Sequence, residues 1–323
     1  MNSAVLYLIT VLVWGSTWFA IEFQLGIVAP EVSIVYRYAG ASLLLFGWCA
    51  LTGRSLAFPL RQHVWFALLG ALLFGINYVF AYRAQVHITS ALTAILFSTM
   101  LWLNIINARL FFGTRAGREV IVGAVLGVIG IVALFAPQIG ELSFSDGTLI
   151  GSLLAITSAL VASFGNMASQ AAQKAKLPII QSNAWGMFYG AVITAVIAAA
   201  QGHAFNFDFS TGYIVSLAYL TVFGSIIAFG AYLTLLGRIG AHRAGYAMVA
   251  FPVVALILSV AFEGLKIDLP MLFGICCVLF GNLLVLAKGS SRRRAPAAEE
   301  TRPGESRLAG PRSAPAETAA RGP

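Results

Sequence analysis

From Met1 to Lys288 the chain alternates long apolar runs with short polar joints, and ten runs stand out. They cover residues 3–22, 30–51, 63–83, 90–112, 119–137, 148–170, 179–200, 211–236, 244–264 and 270–287. At ~1.5 Å of rise per residue, a helix of about 20 apolar residues matches the ~30 Å hydrocarbon core of a bilayer. The pattern predicts an all-α membrane protein with ten transmembrane helices. The first run has no basic segment before it. Trp14, Trp18 and Glu22 stand where a cleavable leader carries small residues, so it reads as a retained helix.

Composition supports this reading. Charged residues are 10% of the chain and hydrophobic residues 59%, against about 25% charged in soluble domains. The net charge of +8 becomes informative once it is divided among the joints. Alternate joints carry Arg54 and Arg61; Arg109, Arg115 and Arg118; Lys174 and Lys176; Arg238 and Arg243; then Lys288 and Arg292 to Arg294. The joints between them hold only Arg83 and Lys266 as cations, beside Glu31, Glu141, Asp146, Asp208 and Asp268. Thirteen cations against two is a positive-inside bias, which puts both termini in the cytoplasm of a multi-pass inner-membrane protein. Basic residues spent on orientation leave no basic, aromatic-interleaved face for nucleic acid.

Little suggests catalysis. Cys49, Cys276 and Cys277 lie inside apolar runs and have no metal-ligand spacing. His63, His87, His203 and His242 are scattered at joints, with His87 near Arg83. Nucleophile-elbow, zincin, Walker A and paired-carboxylate patterns are all missing. The sequence therefore reads as a non-enzyme without cofactor or metal.

The joint at 137–147 divides the runs into residues 1–140 and 147–288, five helices each. Phe74-Gly75 with Ala81-Tyr82 is echoed by Phe223-Gly224 with Ala231-Tyr232, and Ser90 to Ser98 can be laid over Ala244 to Pro252. Because five is odd, a second copy enters the membrane upside down. Inverted repeats of this kind build secondary transporters, with the substrate site near the midplane. Residues 289–323 are rich in Ala, Pro, Arg, Glu, Gly and Ser and hold a single Leu, so a disordered cytoplasmic tail is expected.

Polar and aromatic residues recur at helical spacing inside the runs. Trp14, Trp18 and Glu22 share one face; Tyr78 and Tyr82 follow with Asn77 alongside. Thr93, Met100, Asn104 and Asn107 form a stripe in the fourth run, and Ser163 and Asn166 begin another in the sixth. Lipid cannot satisfy an amide, so these faces should turn into a cavity or form interhelical hydrogen bonds. Arg37, inside the second run, needs a partner or water. Glu22 is the nearest acid in sequence, and either an Arg37–Glu22 ion pair or direct substrate or proton contact would answer the need. Glu22 and Glu263 are candidate proton carriers. Pro252 and the Gly-flanked segment Phe74 to Asn77 are expected helix breaks, and Pro252 is also a candidate gating residue, as are Glu22, Arg37 and Glu263. Gly123, Gly127 and Gly130 give the fifth helix a small-residue face, for close packing or for a homodimer.

Several motifs together resemble a known family. Trp14-Gly15-Ser16-Thr17-Trp18 is similar to the opening motif of the EamA family, in the drug/metabolite transporter superfamily. Tyr36-Arg37-Tyr38 after Pro30 is similar to its second-helix segment. Phe251-Pro252-Val253-Val254-Ala255-Leu256 and Phe262-Glu263-Gly264 resemble its second-half motifs. Ser98-Thr99-Met100 departs from the family's first-half proline, and Gly113-Thr114-Arg115 from its usual G-E-R. The resemblance implies a ten-helix inverted-repeat exporter of small metabolites, such as amino acids or amphipathic drug-like compounds. The cavity surface would include Trp14, Trp18, Tyr78 and Tyr82. Partners would be the small-molecule substrate, the lipid bilayer and, as coupling ion, protons, in a monomer or homodimer. A passive facilitator or a lipid-linked flippase of the same fold is the alternative.

Overall fold

The computed structural model describes residues 1–134, 146–262 and 269–291, and these form helices without a strand. Glu263, most of the joint at 137–147 and most of the 289–323 tail lie outside the described residues. The chain begins with α1 (Ser3–Glu22) and α2 (Pro30–Leu51). A rod from Leu60 to His87 contains α3 (Leu60–Leu69), a π-helical segment Gly70–Gly75 and α4 (Ile76–His87). Next come α5 (Ser90–Phe97), α6 (Met100–Phe112) and α7 (Arg118–Leu134). The second half holds α8 (Asp146–Lys174), α9 (Ile179–Ala200) and α10 (Thr211–Tyr219). A π-helical segment Leu220–Ile227 leads into α11 (Ala228–Ile239), and the short α12 (Ala241–Ala244), α13 (Ala247–Phe262) and α14 (Leu269–Ser291) follow.

Among the described residues, seven helical rods are long and apolar enough to cross a membrane. Their surfaces agree. Leu8, Leu12, Leu43, Trp48, Val192 and Val196 are exposed, whereas Thr10, Ser33, Asn77, Asn104, Asn166 and Asn183 are buried. Apolar outside and polar inside is the arrangement a bilayer favours, since lipid offers no hydrogen-bond partner. The protein is an all-helical membrane protein.

Local chemistry explains the helix ends. The Asn2 side chain accepts from the amide of Ala4, and the Ser210 hydroxyl accepts from that of Tyr213. Pro30 fills a first-turn position where its missing N–H costs nothing. Gly113, at φ 64°, closes α6 in the left-handed conformation that lacks a Cβ penalty only for glycine.

The helix breaks differ from expectation. Pro252 does not interrupt its helix; it lies inside α13, and the break precedes it at Gly245–Tyr246. The fourth apolar run is divided at Ser98–Thr99, although it lacks the proline usual there. The Ser98 hydroxyl donates to the Ile95 carbonyl (2.5 Å) and the Thr99 hydroxyl to that of Leu96 (2.7 Å). Hydroxyls that capture carbonyls three residues back bend a helix as a proline does. The expectation near Phe74 was closer: the π segment there ends at Gly75, and its second-half echo, Phe223-Gly224, lies inside the other π segment.

Glycines set the closest approaches. A Cβ on Gly70 would stand 2.8 Å from the Gly186 carbonyl, and one on Gly190 would stand 2.7 Å from Phe74 Cβ. Helix α9 therefore lies in backbone contact with the first π segment, a packing that small residues permit. The α7 glycines are used inside the same chain. A Cβ on Gly130 would meet the Gly274 carbonyl of α14 at 2.8 Å, and one on Gly127 would meet Val249 of α13. That face is covered by α13 and α14 and is not free to form a dimer seam.

Candidate functional site

The first π segment and α1, α2, α4, α5, α6, α8, α11 and α13 converge on one cavity. It is narrow: a water molecule's centre can move through only about 40 Å³ of it, room for two or three waters. The walls are Trp14, Thr17, Trp18, Ile21, Arg37, Leu73, Asn77, Tyr78, Ala81, Phe97, Met100, Ala162, Asn166, Phe229, Tyr232, Met248 and Phe251.

The rings form a connected wall. Trp14 packs on Phe229 and Tyr232, both with ring centroids 4.9 Å apart. Trp18 packs edge-on to Phe97 (5.3 Å) and stacks on Phe251 (5.8 Å). The Trp14 indole donates to the Gly224 carbonyl (3.1 Å) in the second π segment. A π turn shifts the backbone ladder by one residue and frees carbonyls, and Trp14 satisfies one of them. Trp14→Phe is expected to lower stability by about 1–3 kcal/mol, the cost of a buried acceptor left unpaired. Trp18→Phe should cost clearly less, since the Trp18 indole makes no hydrogen bond among the described residues. Thermal unfolding of both variants in detergent checks the difference.

One region of the cavity centres on Arg37, which is 1% exposed. Its Nε donates to the Ser225 hydroxyl (2.8 Å) and Nη1 to the Tyr82 hydroxyl (3.4 Å). The guanidinium carbon lies 5.2 Å from the ring centre of Tyr38 and 4.7 Å from that of Tyr78. Ser225 in turn donates to the Leu220 carbonyl, five residues back within the π turn. The anticipated pairing of Arg37 with Glu22 does not occur. Glu22 is the last residue of α1 and is exposed.

A second region is built of amides. Asn166 donates to the Tyr232 hydroxyl (2.9 Å), to Asn104 Oδ1 (3.2 Å) and to Met100 Sδ (3.7 Å). Oδ1 of Asn77 and Oδ1 of Asn166 are buried without partners. Asn104 and Asn107 support the cavity from behind rather than line it; Asn107 donates to the Ser163 hydroxyl (2.9 Å). Thr93 is buried and donates to the Thr89 carbonyl of the preceding turn.

Trp14, Trp18, Asn77, Tyr78, Met100, Asn166 and Arg37 are thus brought together at the cavity. Tyr82, Asn104, Asn107 and Ser163 form the layer behind it, Glu22 stands apart, and Glu263 is outside the described residues. Pro252 is buried beside the lining residue Phe251. Sequence reasoning missed Phe97, Phe229, Tyr232 and Ser225. The signal for Tyr232 was present: the repeat maps it onto Tyr82, already a candidate.

Periodicity also passed over the one buried carboxylate among the described residues. Glu31 is fully buried at the start of α2, with Arg83 Nε 2.5 Å and His203 Nε2 3.6 Å away. Gln201 accepts from Arg83 Nη2 (2.5 Å), so one end of the bundle ties α2, α4 and the end of α9 together. At a joint, burial and Arg243 hold His242 down at about 4, so it is neutral at physiological pH.

This architecture matches known proteins. The EamA-like transporter family model covers residues 1–136 and 149–287. The chain belongs to the EamA-like transporter family. It is 27% identical over 277 residues to an uncharacterized inner membrane transporter, YedA, of Escherichia coli (strain K12), spanning 85% of this chain and 87% of that protein. It is 23% identical over 292 residues to Protein PagO of Salmonella typhimurium, spanning 88% and 93%. One crystal structure superposes with a TM-score of 0.73 at 18% identity, over 90% of this chain and 98% of that one, which makes the fold a shared one. As an EamA-like protein the chain is a membrane transporter and not an enzyme.

Proposed function

We propose that this transporter is a secondary exporter of a small amphipathic metabolite across the bacterial cytoplasmic membrane, working by alternating access. In this reading ten helices form two inverted five-helix repeats, residues 1–140 and 147–288, with both termini in the cytoplasm. The observation that carries it is the narrow, ring-walled cavity, lined by α1, α2, α4, α5 and α6 of the first half and by α8, α11 and α13 of the second. Too tight for a metabolite as it stands, such a cavity admits cargo only when one wall moves against the other.

The repeat gains support from the two π segments. Helices α8 and α9 pack on the first and α1 and α2 on the second, so each half contributes two helices to the other half's segment. The family match to one stretch in each half agrees. π segments carry weakened ladders and are natural places for a helix to flex. With no nucleotide-binding motif in the sequence, energy comes from the cargo's gradient or from protons. Glu263 remains a proposed proton carrier; Glu22, being exposed, is a weaker one.

A comparison of metabolites in medium from deletion and overexpression strains identifies the cargo. Purified protein in liposomes is then expected to show counterflow: unlabelled cargo inside should speed uptake of labelled cargo. A pH gradient should drive accumulation if protons couple. Downhill flux without counterflow would mean a passive facilitator, and the alternating-access reading would fail.

A further inference from the structure

We propose that Arg37 is the docking site for one negative charge on the cargo, so that the cargo is a small organic carboxylate with a flat or apolar body. The inference rests on the transport reading and adds the substrate class to it.

Among the described residues, Arg37 is the only charged one in the cavity wall. It is buried, yet every group around it is neutral: the Ser225 and Tyr82 hydroxyls and the rings of Tyr38 and Tyr78. Among the described residues the ion pairs are those of Glu31 with Arg83 and with His203, so the buried acid is already matched elsewhere. A buried charge held by dipoles alone is costly and tends to be retained where it acts. A guanidinium has five N–H donors, and the two bonds named engage Nε and Nη1. The Nη2 donors make no hydrogen bond among the described residues. A Cβ on Gly224 would stand 3.2 Å from Nη2, so the glycine leaves that edge uncrowded. Nη1 gives one N–H to Tyr82 and keeps a second, so the Nη1–Nη2 edge can grip a carboxylate through two parallel bonds.

Charge balance narrows the class further. Among the described residues, one fixed cation and no acid in the wall match a monoanion; an amine would meet like charge, and a phosphate monoester would bring a second charge without a partner. The rings of Trp14, Trp18 and Phe229 suit a flat body.

Binding to the full-length protein in nanodiscs, followed by thermal shift and by isothermal titration, tests this. The probes are 3-phenylpropionate, 3-phenylpropionamide, 3-phenylpropylamine and 2-phenylethyl phosphate. The carboxylate should bind about 10- to 100-fold tighter than the amide, as expected for hydrogen bonds to a buried charge. The amine and the phosphate should bind more weakly still. Arg37→Lys should keep this order and Arg37→Gln should erase it. Equal or tighter binding of the amide or the amine overturns the proposal, as does an unchanged order in Arg37→Gln. Tighter binding of the phosphate overturns the monoanion assignment. If Arg37→Gln does not fold, the wild-type order decides alone. Binding of none of the four, with counterflow of a cellular cargo intact, ends the anion assignment and leaves transport standing. Carboxylate binding without any flux or counterflow does the reverse.

Discussion

Trp18→Ala should cut counterflow by roughly 5- to 150-fold with the protein still present in the membrane. Trp18 touches Phe97 of α5 and Phe251 of α13, so one side chain links both sides of the cavity. Each ring pair contributes ~0.5–1.5 kcal/mol beyond area burial, and ~1.4 kcal/mol is tenfold. The two losses together give that range. Trp18→Phe keeps a ring and should retain most of the flux. Tyr78→Ala, which removes a lining ring that also covers Arg37, should fall between the two. Counterflow in liposomes, normalised to reconstituted protein, is the measurement. Full flux in both alanine variants would move the site elsewhere.

Arg83→Ala should destabilise the protein by about 3 kcal/mol, the lower end of the range for breaking a buried ion pair. Glu31 has 0% of its side chain exposed, so removal of Arg83 leaves a carboxylate without its closest cation in a dry site. Arg83 itself is 40% exposed and partly screened by water, which is why the lower end applies. Glu31→Gln should cost much less, since Arg83 is 40% exposed and water can solvate it. Thermal unfolding in detergent reads both variants, and the asymmetry is the point. Equal losses would mean that the pair acts by geometry alone and that burial of Glu31 contributes nothing.

Much of this protein could be read along the chain. The membrane class follows from run length and lack of charge, because lipid imposes a thickness and forbids unpaired backbone. The cavity face of α1 follows from Trp14 and Trp18 at helical spacing. The same spacing misleads for Glu22. Each four-residue step turns a helix by about 40° beyond a full circle, so Glu22 has drifted about 80° from Trp14. It is also the last residue of α1 and is exposed. Pro252 misled for a related reason: a proline near the start of a helix removes one bond without ending the helix.

The sequence alone determined that this is an all-helical membrane protein and that polar and aromatic residues line something within it. Only the tertiary structure decided what those residues touch. Arg37 meets Ser225, 188 positions away, rather than Glu22 at 15; Asn104 and Asn107 turn to Asn166 and Ser163 and leave the cavity wall to Phe97 and Phe229. The reason is geometric. Periodicity tells which side of a helix is polar, but partners across helices depend on crossing angle and axial height. Those are set by backbone contacts such as Gly70 on Gly186 and Gly190 on Phe74, and no one helix encodes them alone.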